Sequence, residues 1–220
     1  VAETGGQNAM LVDSTALPEQ VVADVLESSF ASAGQRCSAL RVLFVQEDIA
    51  DKVETLLGGA MQELQIGDPR EPATDVGPVI DAQAREKLQG HIELLRQQGR
   101  LLAATVVPEA WQACGEFVAP VALRLEDINE LADEHFGPVL HIIRYRASDV
   151  HQIVDSINRC GFGLTFGIQS RNEGFAADID RRIRVGNVYV NRNMIGAVVG
   201  VQPFGGMGLS GTGPKAGGPH

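Results

Sequence analysis

Along most of this chain, short apolar runs rich in β-branched residues alternate with segments whose apolar residues recur every three or four positions. The first pattern reads as buried strand and the second as amphipathic helix. Strands are predicted at Leu40 to Val45, Leu101 to Val107, Phe117 to Leu125, Val139 to Tyr145, Leu164 to Gln169 and Asn187 to Val190. The helices between them start at Pro18, with Val21, Val22, Val25, Leu26 and Phe30 on one face, and near Asp48, with Ile49, Val53, Leu56, Leu57, Ala60 and Leu64 on one face. Further helices are predicted from about Asp81 to Gln98, Ser148 to Asn158 and Glu173 to Ile183. Strand and helix in alternation predict a three-layer α/β fold, a largely parallel sheet with helices on both faces. Pro120, inside its run, implies a bend or an edge position there.

The chain has 220 residues, 44% of them hydrophobic, enough to bury the core of one substantial domain. No apolar run approaches the ~20 residues of a membrane helix, and no basic-then-apolar leader opens the sequence, so a cytoplasmic protein is expected. A formal net charge of −10 argues against a nucleic-acid surface. Cys37, Cys114 and Cys160 have neither paired spacing nor an even count, which fits reduced thiols better than disulfides or zinc. The five histidines are scattered, and no metal site is expected.

Two loops carry chemistry-bearing residues. In FASAGQRCSALR, Cys37 follows small residues that leave the backbone room to approach a ligand, and neighbouring N–H groups outside a sheet ladder could hold an oxyanion. Arg36 beside it would favour the thiolate. A half-buried small residue is the bland alternative for Cys37. After Phe204, half of the residues from Gly205 to Gly218 are glycine, so neither helix nor strand is expected. Gly206, Gly208 and Gly211 form a G-x-G-x-x-G, but Thr212-Gly213-Pro214 forbids the helix a dinucleotide turn requires.

The opening VAETGGQNAM and the segment around Cys37, with Glu3 and Cys37 34 positions apart, together resemble the aldehyde dehydrogenase superfamily. The resemblance implies that Cys37 is the nucleophile and Glu3 the general base, with Thr4 and Gly5 beside the cofactor. EHFGP resembles the family's cofactor motif, implying Glu134 on the nicotinamide ribose and Phe136 beside the ring. Read alone, these two would be a helix-end acid and a core aromatic. NMIGAVVGVQPFGGMG resembles the substrate loop of the branch that oxidises L-glutamate γ-semialdehyde, as in the bifunctional flavoproteins of proline catabolism. That implies a substrate α-carboxylate on the backbone of Gly196-Ala197, with Ser38 and Phe204 as neighbouring contacts. Glycine-rich flexibility explains the same composition.

The resemblance further implies NAD, held mostly by a Rossmann-like domain expected upstream of residues 1–220, and FAD only in a separate proline-oxidising domain of the longer parent. A homo-oligomeric parent is implied as well. Residues 1–220 would be the catalytic, nucleophile-bearing domain, with little or no activity alone. A non-catalytic remnant serving assembly is the competing reading. A free-standing thiol hydrolase lacks a histidine near the cysteine motif.

Overall fold

The computed structural model describes residues 4–198 and 200–217. In chain order the elements begin with β1 (Ala9–Val12), α1 (Pro18–Phe30), β2 (Val42–Gln46), α2 (Glu47–Gln62), α3 (Ala82–Gln97), β3 (Leu101–Ala104) and α4 (Glu109–Gln112). They continue with β4 (Val121–Arg124), β5 (Val139–Tyr145), α5 (Val150–Arg159), β6 (Phe162–Gly163), β7 (Thr165–Gln169), α6 (Glu173–Arg182), β8 (Asn187–Val190) and β9 (Met207–Gly208).

Seven strands form one sheet in the order β3-β4-β5-β2-β1-β7-β8, parallel throughout except for β3 against β4. The expected α/β class is therefore observed. Every residue of β1, β2 and β7 is buried, so the sheet centre is covered on both faces. Handedness supplies the two layers. The crossover from β1 through α1 to β2 runs one way along the sheet, and those from β5 to β7 and from β7 to β8 run the other way. Right-handed connections in opposite directions lay α1 on one face and α5 and α6 on the opposite face. Accordingly α1 packs on α2, and α5 packs on α6.

Several local expectations are corrected. The central strand β1 was not among the predicted strands, because four apolar residues between Gly6 and Asp13 give too short a signal. α2 is capped by Gln46, not near Asp48, which lies in the first turn and accepts from the Gln46 amide at 2.6 Å. An acid there suits the positive end of the helix. The strand predicted from Leu101 to Val107 stops at Ala104, after which Thr105 N–H donates to the Pro120 carbonyl. β4 is interior and not an edge, and Pro120 is accommodated because it stands just before the strand. The glycine-rich segment does contain a strand: β9 pairs antiparallel with β6, and Phe204 bridges Ala216. Among the described residues no helix follows Gly211.

Candidate active site

Cys37 lies in the turn before β2, Asn8 immediately before β1, Glu134 and Phe136 before β5, and Leu164 immediately before β7. These four strands are parallel, so all those residues meet at the amino ends of the sheet. Ligands of open α/β sheets usually gather at the carboxyl ends. Here the candidate chemistry is at the opposite edge.

The turn has an unusual entry. After α1, Ser32, Ala33 and Gly34 take φ of 56°, 54° and 66°, three left-handed residues in succession. Such φ values are costly for serine and alanine. At Gly34 only glycine fits, because a Cβ would lie 2.2 Å from the Gly137 carbonyl oxygen. This left-handed stretch throws the chain from the helix end onto the sheet edge.

Buried side chains then capture the turn's carbonyls one after another. Arg41 Nη2 donates to Arg36 O at 3.2 Å, Asn8 Nδ2 donates to Cys37 O at 2.7 Å and Ala39 O at 2.9 Å, and Thr165 Oγ1 donates to Ser38 O at 3.2 Å. In a trans peptide the N–H points opposite to the preceding C=O. With the Arg36 and Cys37 carbonyls drawn inward, the N–H groups of Cys37 and Ser38 point to the opposite side of those planes, whereas Ala39 N–H donates to Arg36 O at 3.1 Å, and the sheet ladder begins only at Val42.

Arg41 is the hub. It is 1% exposed, and its guanidinium donates to Gly34 O (2.7 Å), Gly137 O (3.3 Å), Arg36 O and Glu134 Oε1 (3.2 Å), while its charge lies 5.1 Å from the Phe136 ring centre. Burial lowers the Arg41 pKa and raises that of Glu134, and the attraction between them offsets only part of each effect. The Arg41 charge also interacts with Cys37, and Arg36, beside the thiol in sequence, directs its guanidinium to Ser32 Oγ (3.0 Å) and Ile195 O (3.5 Å).

Behind Arg41 three histidines touch. His141, fully buried, has its Nδ1 3.0 Å from Arg41 O and its Nε2 2.8 Å from His91 Nε2, and His91 stacks on His135 with ring centres 3.5 Å apart. Since Arg41 O can only accept, His141 carries its proton on Nδ1 and accepts from His91. Burial, helped by the neighbouring rings, pushes His141 down to about 3 and His135 to about 4. Among the described residues no group of three or more His, Cys, Asp or Glu, this one included, is placed to hold a metal ion.

The predicted residues fall into two clusters joined by Arg41. Cys37, Ser38, Ala197 and Phe204 line one open cleft of about 530 Å³, together with Arg36, Ile195 and Gln202, and Gly196 lies between two of its lining residues. Thr4, Gly5, Glu134 and Phe136 stand apart from that lining. Thr4 is anchored on the glycine-rich segment, its N–H donating to Ser210 O at 3.0 Å, and Gly6 N–H donates to Glu134. A Cβ on Gly5 would lie 2.0 Å from Glu134 Oε2, so glycine leaves the carboxylate its place. Glu3 lies outside the described residues. Arg41, Asn8 and Thr165 were missed in the sequence. A cation inside the apolar run ALRVLFV was the available signal for the first.

The sequence model of the aldehyde dehydrogenase family matches residues 1–220. The chain belongs to the aldehyde dehydrogenase family. Relatives within this aldehyde dehydrogenase family include the bifunctional protein PutA of Klebsiella aerogenes, 54% identical over all of this chain and 17% of that protein. The 1-pyrroline-5-carboxylate dehydrogenase of Geobacillus kaustophilus is 38% identical over all of this chain and 42% of its own length. Among solved structures, a mutant of Bradyrhizobium japonicum proline utilization A superposes with a TM-score of 0.94 at 56% identity, covering 100% of this chain and 22% of that one. A 1-pyrroline-5-carboxylate dehydrogenase from Thermus with bound NAD gives 0.87 at 35% identity, covering 98% and 41%. The chain thus spans about a sixth of the PutA relatives and less than half of the single-function dehydrogenases. No helix of the described residues is long and apolar enough to cross a membrane.

Proposed function

We propose that residues 1–220 form the nucleophile-bearing catalytic domain of an NAD-dependent dehydrogenase that oxidises L-glutamate γ-semialdehyde to L-glutamate. The observation carrying this reading is the shared cleft of Cys37, Ser38, Ala197 and Phe204, two sequence-distant loops converging on one thiol. The relatives named for 1-pyrroline-5-carboxylate support the substrate class.

Cys37 Sγ, as thiolate, adds to the aldehyde carbon, and the developing oxyanion is met by N–H groups that face away from the captured carbonyls. Backbone N–H groups around Gly196 and Ala197 take the α-carboxylate, since clustered amides bind anions without a basic side chain. The half-buried Glu134, fixed by Arg41 and Gly6 and given room by Gly5, together with the exposed Phe136 ring, suits a nicotinamide riboside. The chemistry that NAD supplies when bound is hydride acceptance. Oxidation of the carbon leaves an acyl group on Cys37 as a thioester, and Glu3 is assigned the activation of the hydrolytic water. Most of the cofactor's contacts are assigned to a part of the longer protein outside residues 1–220. That parent is taken to be a cytoplasmic homo-oligomer, with any FAD confined to its separate proline-oxidising part.

The test is spectrophotometric. A protein that joins this segment to its cofactor-binding part should reduce NAD with glutamate semialdehyde and release glutamate, while residues 1–220 alone should give no heat of NAD binding in calorimetry. Absence of NAD reduction by the joined protein overturns the assignment. Micromolar NAD binding by this chain alone overturns the division of labour.

A further inference from the structure

Charge is distributed unevenly around the cleft. The chain holds 28 acidic residues against 18 lysines and arginines. Yet neither of the segments that build the cleft, residues 28–46 and 187–217, contains an aspartate or glutamate, and they carry Arg36, Arg41, Arg192 and Lys215. Arg41 is committed to Glu134 below the floor. Arg36 lines the cleft beside Cys37, is exposed, and is tethered only to the neutral Ser32 Oγ and Ile195 O. Arg192 stacks over Tyr189 at 5.5 Å, with its Nη2 2.3 Å from where a Cβ on Gly196 would stand. Tyr189 in turn accepts from Gln202 of the cleft lining at 3.0 Å. Among the described residues no carboxylate pairs with Arg36 or Arg192, although the chain is acidic overall.

We infer that Arg36 and Arg192 form a cationic rim that favours aldehydes carrying a carboxylate over those without one, with Arg36 the principal specificity-determining residue. This rests on the dehydrogenase reading but adds side-chain charge to the backbone amides proposed above. A backbone turn fixes where a carboxylate sits. A pair of unneutralised guanidiniums flanking that turn raises the local concentration of anions, in a molecule whose remaining surface repels them.

The thiol itself reports the effect without cofactor or oxidation, so failure of the dehydrogenase reading cannot imitate failure of this one. In this chain Cys37 is alkylated with iodoacetate, an anion, or iodoacetamide, its neutral counterpart, and peptide mass spectrometry gives the rate at each cysteine. Both reagents consume the same thiolate, so their rate ratio cancels thiol acidity and reports the field acting on the reagent's charge. At low salt the ratio should favour iodoacetate at Cys37 by roughly fivefold more than at Cys114, and 0.5 M salt, about a fivefold concentration over common buffers, should collapse it. Arg36→Gln should remove most of the preference, Arg192→Gln part of it, and Arg36→Lys should retain it. A ratio at Cys37 no higher than at Cys114, or one unmoved by salt or by Arg36→Gln, overturns the inference. The salt titration uses the unaltered chain, so the test survives a variant that fails to fold.

Discussion

Arg41 Nη2 stands 3.2 Å from Glu134 Oε1 while the same nitrogen reaches Arg36 O, the carbonyl preceding Cys37, at 3.2 Å. One buried guanidinium therefore ties the turn of the proposed nucleophile to the carboxylate proposed for the cofactor, across 93 positions of sequence. The two clusters of candidate residues share no cleft lining, and this cation bonds to both.

Replacing Arg41 by methionine fills its volume but leaves Gly34 O, Arg36 O, Gly137 O and Glu134 without that donor. Removing one partner of a buried ion pair typically costs ~3–5 kcal/mol. Urea unfolding of Arg41→Met should show a loss of that order, and a loss under ~1 kcal/mol would mean that water replaces the guanidinium at little cost.

Asn8 holds the turn from the other side, donating to both Cys37 O and Ala39 O and accepting from Thr165 N–H at 3.2 Å. Asn8→Ala strands three buried backbone groups, for a destabilisation of ~2–3 kcal/mol. The alkylation rate of Cys37, relative to Cys114, should change in this variant at temperatures where the fold persists. An unchanged relative rate would show that the turn keeps its geometry without the amide.

The outline of the fold was readable because periodicity reports burial directly: β5, β7 and α1 lie within two residues of their predicted bounds. The thiol cleft was readable from local motifs. What escaped was the support. Asn8, Thr165 and His141 act through partners 29 to 157 positions away, and Arg41 reaches Glu134 across 93 and Gly137 O across 96. No local pattern marks such pairings, although a charged residue in ALRVLFV and a histidine in VLHII each signal a buried polar group that must be satisfied. β1 escaped for a related reason, since four residues have no period to read.

The histidine cluster predicts acid sensitivity with a definite sign. His141 and His135 are depressed from 6.5 to about 3 and about 4, so the unfolded chain binds protons that the folded one refuses. Stability is complete above pH 6.5 and is drawn down as pH falls through 6.5 toward 4 and 3. Glu134 works with the opposite sign, because its raised pKa makes protonation in the folded state favourable as pH falls toward 4.5. Between pH 7 and pH 5, urea titrations should show a loss of stability smaller by ~2 kcal/mol in His141→Gln than in the unaltered chain. Equal losses in the two would show that His141 is not held neutral by its burial.

Cys37 Sγ is the atom proposed to bond the substrate carbon. Measured as NADH formation from glutamate semialdehyde, in a protein joining this segment to its cofactor-binding part, Cys37→Ala should lose at least ~10³-fold in kcat, since the covalent path has no substitute nucleophile. Turnover within tenfold of the unaltered enzyme would contradict it.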